Sequence, residues 1–298
     1  VRIRVPASSA NLGPGFDCLG LALGLHDVVV ARVTDSGLAV DVAGEGADRV
    51  RRDRRNLVVS SMRATFDRLG GQPRGLEVVC ANRIPHGRGL GSSAAAIVAG
   101  VCAARALVLG GLPDTEALDL AAALEGHPDN VAACLLGGLT AAWTGSDGVA
   151  RALSLPVSED LRPVALVPSG TMSTRRARAL LPPTVPFADA AHTVGRAVAM
   201  AVAFGSRPDL LADLARDRLH EPYRLAAQPR TSALIERLHS SGIAATLSGS
   251  GPTVLGLAVG DEQASAAAAS AGRGWEALPL AVDREGACAL PAAAPAAG

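Results

Sequence analysis

Pro85-His86-Gly87-Arg88-Gly89-Leu90-Gly91-Ser92-Ser93-Ala94-Ala95-Ala96 is the stretch around which the rest of the chain can be organised. Its three glycines at alternating positions let the backbone curve with its N–H groups turned inward. The alanine-rich run that follows starts a helix whose positive end faces the same concavity. Together these make a cradle for an anion such as a phosphate. Ser93 is placed to offer a hydroxyl to a metal or a phosphate oxygen, and Arg88 to supply a mobile charge. A short glycine-rich turn between strand and helix is often only a turn. The length of this one, with a strand predicted before it and a helix after it, favours the cradle.

Composition narrows the chemistry further. The 298 residues contain no lysine, so all 28 basic side chains counted as Lys or Arg are arginines, balanced by 28 acidic ones. A Walker-type loop needs its lysine and a pyridoxal enzyme its Schiff-base lysine, so neither fits. The balanced charge provides no basic surplus for nucleic acid or an anionic membrane, and small molecules are the expected partners. Cys18, Cys80, Cys102, Cys134 and Cys288 are widely spaced and odd in number, which reads as reduced, mostly buried thiols of a cytosolic protein. Val1 to Ala10 alternates polar and apolar residues and carries Arg2 and Arg4, unlike a signal peptide. The apolar run from Ala94 to Leu112 contains Arg105 and reads as a buried helix, not a membrane span.

Working outward from the loop, strands are expected over Val1–Val5, Leu21–Val33, Leu38–Ala43 and Gly75–Asn82, with a loop from Pro6 to Gly20. Helices are expected over Asn56–Leu69, Ser92–Leu109 and Asp114–Glu125, the last with Asp114 as N-cap. Gly137–Trp143 and Val149–Leu155 read as a hairpin. The texture changes at Pro156, which divides the chain into an expected N-terminal domain, 1–155, and a C-terminal one, 156–298. The second half alternates strands (Arg162–Val167, Ala244–Leu247, Thr253–Val259) with helices (Thr174–Leu181, Asp189–Phe204, Pro208–Arg216, Arg230–Ser240, Glu262–Ala271). The pattern is α+β. The tail from Ala287 is low in complexity and expected to fray.

Three further segments stand out. Pro6-Ala7-Ser8-Ser9-Ala10-Asn11-Leu12-Gly13-Pro14-Gly15-Phe16-Asp17 precedes the loop, and Leu247-Ser248-Gly249-Ser250-Gly251-Pro252-Thr253-Val254 lies far beyond it. Glu125-Gly126-His127-Pro128-Asp129-Asn130 ends a helix with a carboxylate and sets Asp129 beside Asn130 on a tight turn. The loop matches the central motif of the GHMP kinases, which act on galactose, homoserine, mevalonate and phosphomevalonate. The other two glycine-rich segments resemble that superfamily's first and third motifs, in the same order along nearly the whole chain. The first takes the form found in homoserine kinases.

The resemblance implies a two-domain fold, with an N-terminal domain like the second domain of ribosomal protein S5 and a ferredoxin-like C-terminal domain. It implies transfer of the γ-phosphoryl group of ATP to the side-chain hydroxyl of L-homoserine, in threonine synthesis, by a homodimer. Residues 85–95 would bind the nucleotide with Gly249 and Gly251 packed alongside, and Ser93 and Glu125 would hold Mg²⁺. Asn56 reads equally as a contact to the base or as a helix N-cap. Asp129 and Asn130 would orient the acceptor hydroxyl, since a loose phosphoryl transfer needs positioning and charge neutralisation more than a strong base. His127 reads as a structural histidine of its loop. An amino acid needs an acceptor for its ammonium, matched by Asn11 and Asp17, and a basic clamp for its carboxylate, matched by Arg178 and Arg224. Arg175 and Arg176 are more basic than the family's usual filling there and stay as alternatives to Arg178. Thr174 reads as a donor to the substrate hydroxyl or to the γ-phosphate, or as the N-cap of its helix.

Overall fold

The computed structural model describes residues 1–291. The chain opens with a long antiparallel pair, β1 (Arg2–Ala10) and β2 (Leu19–Thr34). β1 continues well past Val5 into the segment expected to be a loop. Pro6, which cannot donate to a ladder, sits where the pairing shifts register, between Pro6 and Ala7, so the strand absorbs it and goes on. Only residues 11–18 remain as a loop, and within it Asn11, Leu12 and Asp17 all have positive φ.

β3 (Gly37–Gly44) and β4 (Gly75–Asn82) run parallel, joined through α1 (Leu57–Arg68). α2 (Ser92–Leu107), α3 (Asp114–Glu125) and α4 (Asp129–Leu136) follow, then the hairpin β5 (Leu139–Thr144) and β6 (Ala150–Leu155). Asp114 is the first residue of α3 and not its cap: Pro113 holds that position, and the Asp114 carboxylate bonds to Arg105 instead. Asp129 likewise opens a helix, not just a turn, because the apolar run Val131 to Leu135 is buried and an acidic residue suits a helix start.

The second half begins with β7 (Leu161–Pro168), α5 (Thr174–Arg178), α6 (Phe187–Ser206) and α7 (Leu211–Leu214). It continues through α8 (Glu221–Ala226), α9 (Pro229–Ser240), β8 (Ala244–Leu247), β9 (Val254–Val259), α10 (Gly260–Ala269) and β10 (Trp275–Pro279). The sheet order β10-β7-β9-β8, all antiparallel, is the ferredoxin-like arrangement. α9 and α10 pack against this sheet. From Leu280 the chain returns to the first sheet, where β11 (Cys288–Ala289) pairs with Ile3 and Arg4. The expected fraying therefore does not begin at Ala287; residues 292–298, the rest of that tail, lie outside the described residues.

The first sheet, in the order β11-β1-β2-β4-β3 with β5 and β6 joined to β2, is covered by α2 and α4. Fully buried side chains such as Leu21, Met62, Leu76 and Ile97 fill the layer between, each contributing roughly 1.5–3 kcal/mol. The second sheet carries its own smaller cluster around Val164, Leu234, Leu238 and Val254. All five cysteines are unpaired, and Cys80, Cys102 and Cys134 are buried.

Candidate active site

The loop between β4 and α2 is held open by what it touches. Gly89 and Gly91 adopt φ of +83° and +69°, a region that strains any residue with a Cβ. Space forbids one as well: on Gly89 it would run into the Ser248 carbonyl, and on Gly91 into the Ser8 side chain. Gly91 stands at the N-cap of α2 with no side-chain cap, so the first N–H groups of that helix are left for a ligand. Ser248 Oγ is 2.6 Å from the Gly89 carbonyl and 2.8 Å from Ser9 Oγ, so the third glycine-rich segment is stitched to the first two.

Two hollows meet at this loop and share Gly87, Ser92 and Ser93. The larger, about 370 Å³, is lined by Val5, Val29, Val58, Cys80, Ala95 and Ala99, with Asn56 and His86 at its wall. Asn56 is the N-cap of α1: its Oδ1 accepts from Val58 and Val59, and its Nδ2 donates to the Arg51 carbonyl. The smaller, about 100 Å³, is lined by Pro85, Leu90, Glu125, His127, Asp129, Asn130, Thr174, Arg178, Arg224 and Gly249, with Asn11 and Asp17. Nearly every residue singled out in the sequence therefore lines one of two connected spaces. Arg88 lines neither; its carbonyl accepts from Thr253, so its backbone ties the third segment to the loop. Ala94 is buried in α2, and Gly251 packs against Leu247 and Gln228, so both act through packing.

Ser93 Oγ donates to Glu125 Oε2 at 2.7 Å, at the rim of the cradle. Burial holds the Glu125 carboxyl above its ordinary range, and the Ser93 bond opposes this in part. In the same hollow, Asp129 is 2% exposed, and its Oδ1 accepts from His127 Nδ1 and from the Asn130 amide, both at 2.7 Å. The Asp129 hydrogen bond raises the His127 pKa above 6.5 against the opposing effect of burial. Asn130 Oδ1 accepts from Ser8 Oγ at 2.9 Å. Thr174 is the first residue of α5 but not its cap, since Ser173 Oγ accepts from the Arg176 amide; the Thr174 side chain stays at the cleft.

The far wall is basic. Arg178 forms a two-pronged pair with Asp17, at 2.8 and 2.9 Å. Asn11 bridges the walls: its Nδ2 donates to the Gly249 carbonyl, and its Oδ1 accepts from the Asp17 amide. Arg224 is 2% exposed, and its Nη1 donates to the Gly249 carbonyl and to His220 Nδ1. Its Nε is buried without a partner, and among the described residues its Nη2 has none either. Arg224 lines the cleft, so a buried guanidinium with Nη2 unpaired among the described residues is set there, and such a group suits a carboxylate. Arg175 and Arg176 do not line the hollow, which leaves Arg178 as the arginine of that segment at the site.

Ser8, Met172, Ser250 and His220 belong to this neighbourhood without having been assigned a role from sequence. A serine within Pro-Ala-Ser-Ser carries no pattern that separates a loop buttress from a turn. His220, four residues before Arg224 at helical spacing, was the one readable sign.

An amide cradle at a helix start, a Ser–Glu oxygen pair beside it and a basic pocket for a small anionic acceptor define a nucleotide-dependent small-molecule kinase. Residues 56–138 match the model of the GHMP kinases N terminal domain and residues 200–277 that of the GHMP kinases C terminal domain, and the chain belongs to this family. The homoserine kinase of Streptomyces coelicolor is 57% identical over 296 residues, 98% of this chain and 95% of that protein. That of Streptomyces avermitilis is 56% identical over 297 residues, 99% of this chain and 97% of that protein. Among solved structures, the homoserine kinase of Cytophaga hutchinsonii superposes with a TM-score of 0.87 at 27% identity, covering 97% of this chain and 96% of that one.

Proposed function

We propose that the chain transfers the γ-phosphoryl group of ATP to the side-chain hydroxyl of L-homoserine, giving O-phospho-L-homoserine for threonine synthesis. The observation that carries the acceptor is buried Arg224 at the cleft, whose Nη2 has no partner among the described residues and whose charge asks for a carboxylate. Arg178 would share that carboxylate and Asp17 would take the ammonium, while Asn11 holds Asp17 and Gly249 in place. The near-full-length likeness to homoserine kinases supports the same reading.

The triphosphate would lie on the amides of residues 87–93, with the adenine in the apolar hollow beside Val58 and Cys80. Ser93 and Glu125 fit Mg²⁺, which takes few protein oxygens and keeps its water, and a bound cation would relieve the charge that burial penalises on Glu125. Such an ion neutralises charge building on the phosphates. Asp129, already committed to His127 and to its own helix start, is suited to orienting the acceptor hydroxyl and not to acting as a strong base. Asn130, fixed by Ser8, and Thr174 both line the hollow and would position the same hydroxyl.

The unpaired thiols support a cytoplasmic setting, and among the described residues no helix is long and apolar enough to cross a membrane. The exposed stripe Val194, Val198 and Val202 on α6 supports a homodimer. ADP release over a panel of alcohols tests the assignment. L-homoserine should turn over with the highest kcat/KM; a preference for mevalonate or shikimate would reverse it.

A further inference from the structure

Arg224 can hold a carboxylate only if its guanidinium is fixed at the cleft, and the structure shows what fixes it. Its Nη1 has two hydrogens, and both are used, one on the Gly249 carbonyl at 3.1 Å and one on His220 Nδ1 at 3.3 Å. His220 is fully buried. Its other nitrogen, Nε2, lies 2.8 Å from the Gly13 carbonyl, which can only accept. Nε2 therefore carries the proton, and Nδ1 presents a lone pair to the guanidinium. The ring is clamped on its face as well, stacked on Phe16 with centroids 4.8 Å apart, and Arg224 lies over the same Phe16 ring at 5.3 Å. Its backbone is held by Asp217, whose carboxylate accepts from the amides of Leu219, His220 and Glu221.

We infer that His220 is a positioning residue for the acceptor: through a fixed Nε2–H tautomer it holds the guanidinium of Arg224, with Nη2 unpaired, at the cleft for the substrate carboxylate. Gly13 lies in the same strained loop as Asp17, so the imidazole also couples the carboxylate side of the pocket to the ammonium side. Burial keeps the ring neutral, with its pKa pushed down to about 4, so it does not repel Arg224 near neutral pH. This inference rests on the amino-acid reading of the site.

Two half-mimics separate positioning from packing. In His220→Asn the side-chain oxygen can stand near Nδ1 and keep the acceptor for Arg224; in His220→Gln the amide can stand near Nε2 and keep only the bond to Gly13. The Gln variant should raise KM for L-homoserine roughly tenfold or more. The Asn variant should raise it by about threefold at most, with KM for ATP within about twofold in both. Equal losses in both variants that follow their fall in Tm, or an equal rise in KM for ATP, would mean that the histidine is only core. A second readout needs neither variant nor substrate: ¹⁵N shifts of His220 in the wild-type protein should report the Nε2–H tautomer. An Nδ1–H tautomer would overturn the proposal even if homoserine is turned over. Failure of the wild-type enzyme on homoserine, with the Nε2–H tautomer present, would count against the substrate and leave the Arg224 contact standing.

Discussion

Asp17 and Arg178, both lining the acceptor hollow, face each other in a two-pronged ion pair, Oδ2 to Nη1 at 2.9 Å and Oδ1 to Nη2 at 2.8 Å. The two residues proposed to receive opposite ends of an amino acid are therefore paired with one another. A zwitterion can part them and give each a new partner of the right sign. An alcohol with only one charge parts them and leaves the other charge alone, which is costly in a half-buried site.

4-Hydroxybutyrate and 3-aminopropan-1-ol should therefore fall at least ~100-fold below L-homoserine in kcat/KM. Asp17→Asn should weaken homoserine yet tighten 4-hydroxybutyrate, because Arg178 is released. Competition binding at low salt and at about 0.5 M salt checks this, since a contact pair survives screening that removes long-range repulsion. No gain for the hydroxy acid in the variant would show that the pair does not guard the pocket.

The Ser93–Glu125 pair predicts a metal phenotype. Glu125→Gln should raise the Mg²⁺ concentration needed for half-maximal turnover by about tenfold or more, and Ser93→Ala by less, because the serine offers a neutral oxygen. A magnesium titration of the two variants checks the order, and an unaltered curve for Glu125→Gln would remove it from the site.

Gly89→Ala should abolish nucleotide binding by an ATP analogue in calorimetry while Gly37→Ala leaves it intact. Both have positive φ, but only the first would drive a methyl into the Ser248 carbonyl. The Gly37 site is open, so its cost is backbone strain alone, on the order of 1–2 kcal/mol.

Glu221 supplies a pH dependence unrelated to catalysis. It is buried, forms no ion pair among the described residues, accepts from the Leu247 amide at 2.6 Å, and burial pushes its pKa up from 4.5 to about 8. The folded chain then holds a proton that the unfolded chain loses, so stability falls as pH rises from about 4.5 toward 8 and levels off above. Glu221→Gln, which keeps the carbonyl acceptor, should be more stable than wild type at pH 8, by on the order of 1–3 kcal/mol. The two should converge near pH 4.5 in urea melts.

How much of this was readable beforehand divides along physical lines. The Gly87-Arg88-Gly89-Leu90-Gly91 loop was legible because glycine spacing and an alanine helix start leave a local signature. The path of β1 through Pro6 was not, because a register shift in the pairing decides it and that depends on β2. β10 escaped notice because Trp275-Glu276-Ala277-Leu278-Pro279 is a short, half-buried edge strand that β7 recruits. Arg178 and Arg224 were legible only through their motifs, whereas the Asp17–Arg178 pair and the His220 contact arise where segments more than 150 residues apart meet, and no local pattern encodes that.

In the proposed reaction Arg224 and Arg178 receive the carboxylate of L-homoserine beside a triphosphate seated on the glycine loop. A crystal structure with L-homoserine and a non-hydrolysable ATP analogue tests it most directly. The carboxylate should lie against the guanidiniums of Arg224 and Arg178, the ammonium at Asp17 with the Asp17–Arg178 pair opened, and the phosphates on the amides of residues 87–93. Homoserine bound with its carboxylate away from Arg224, or the glycine loop empty while nucleotide binds elsewhere, would contradict it.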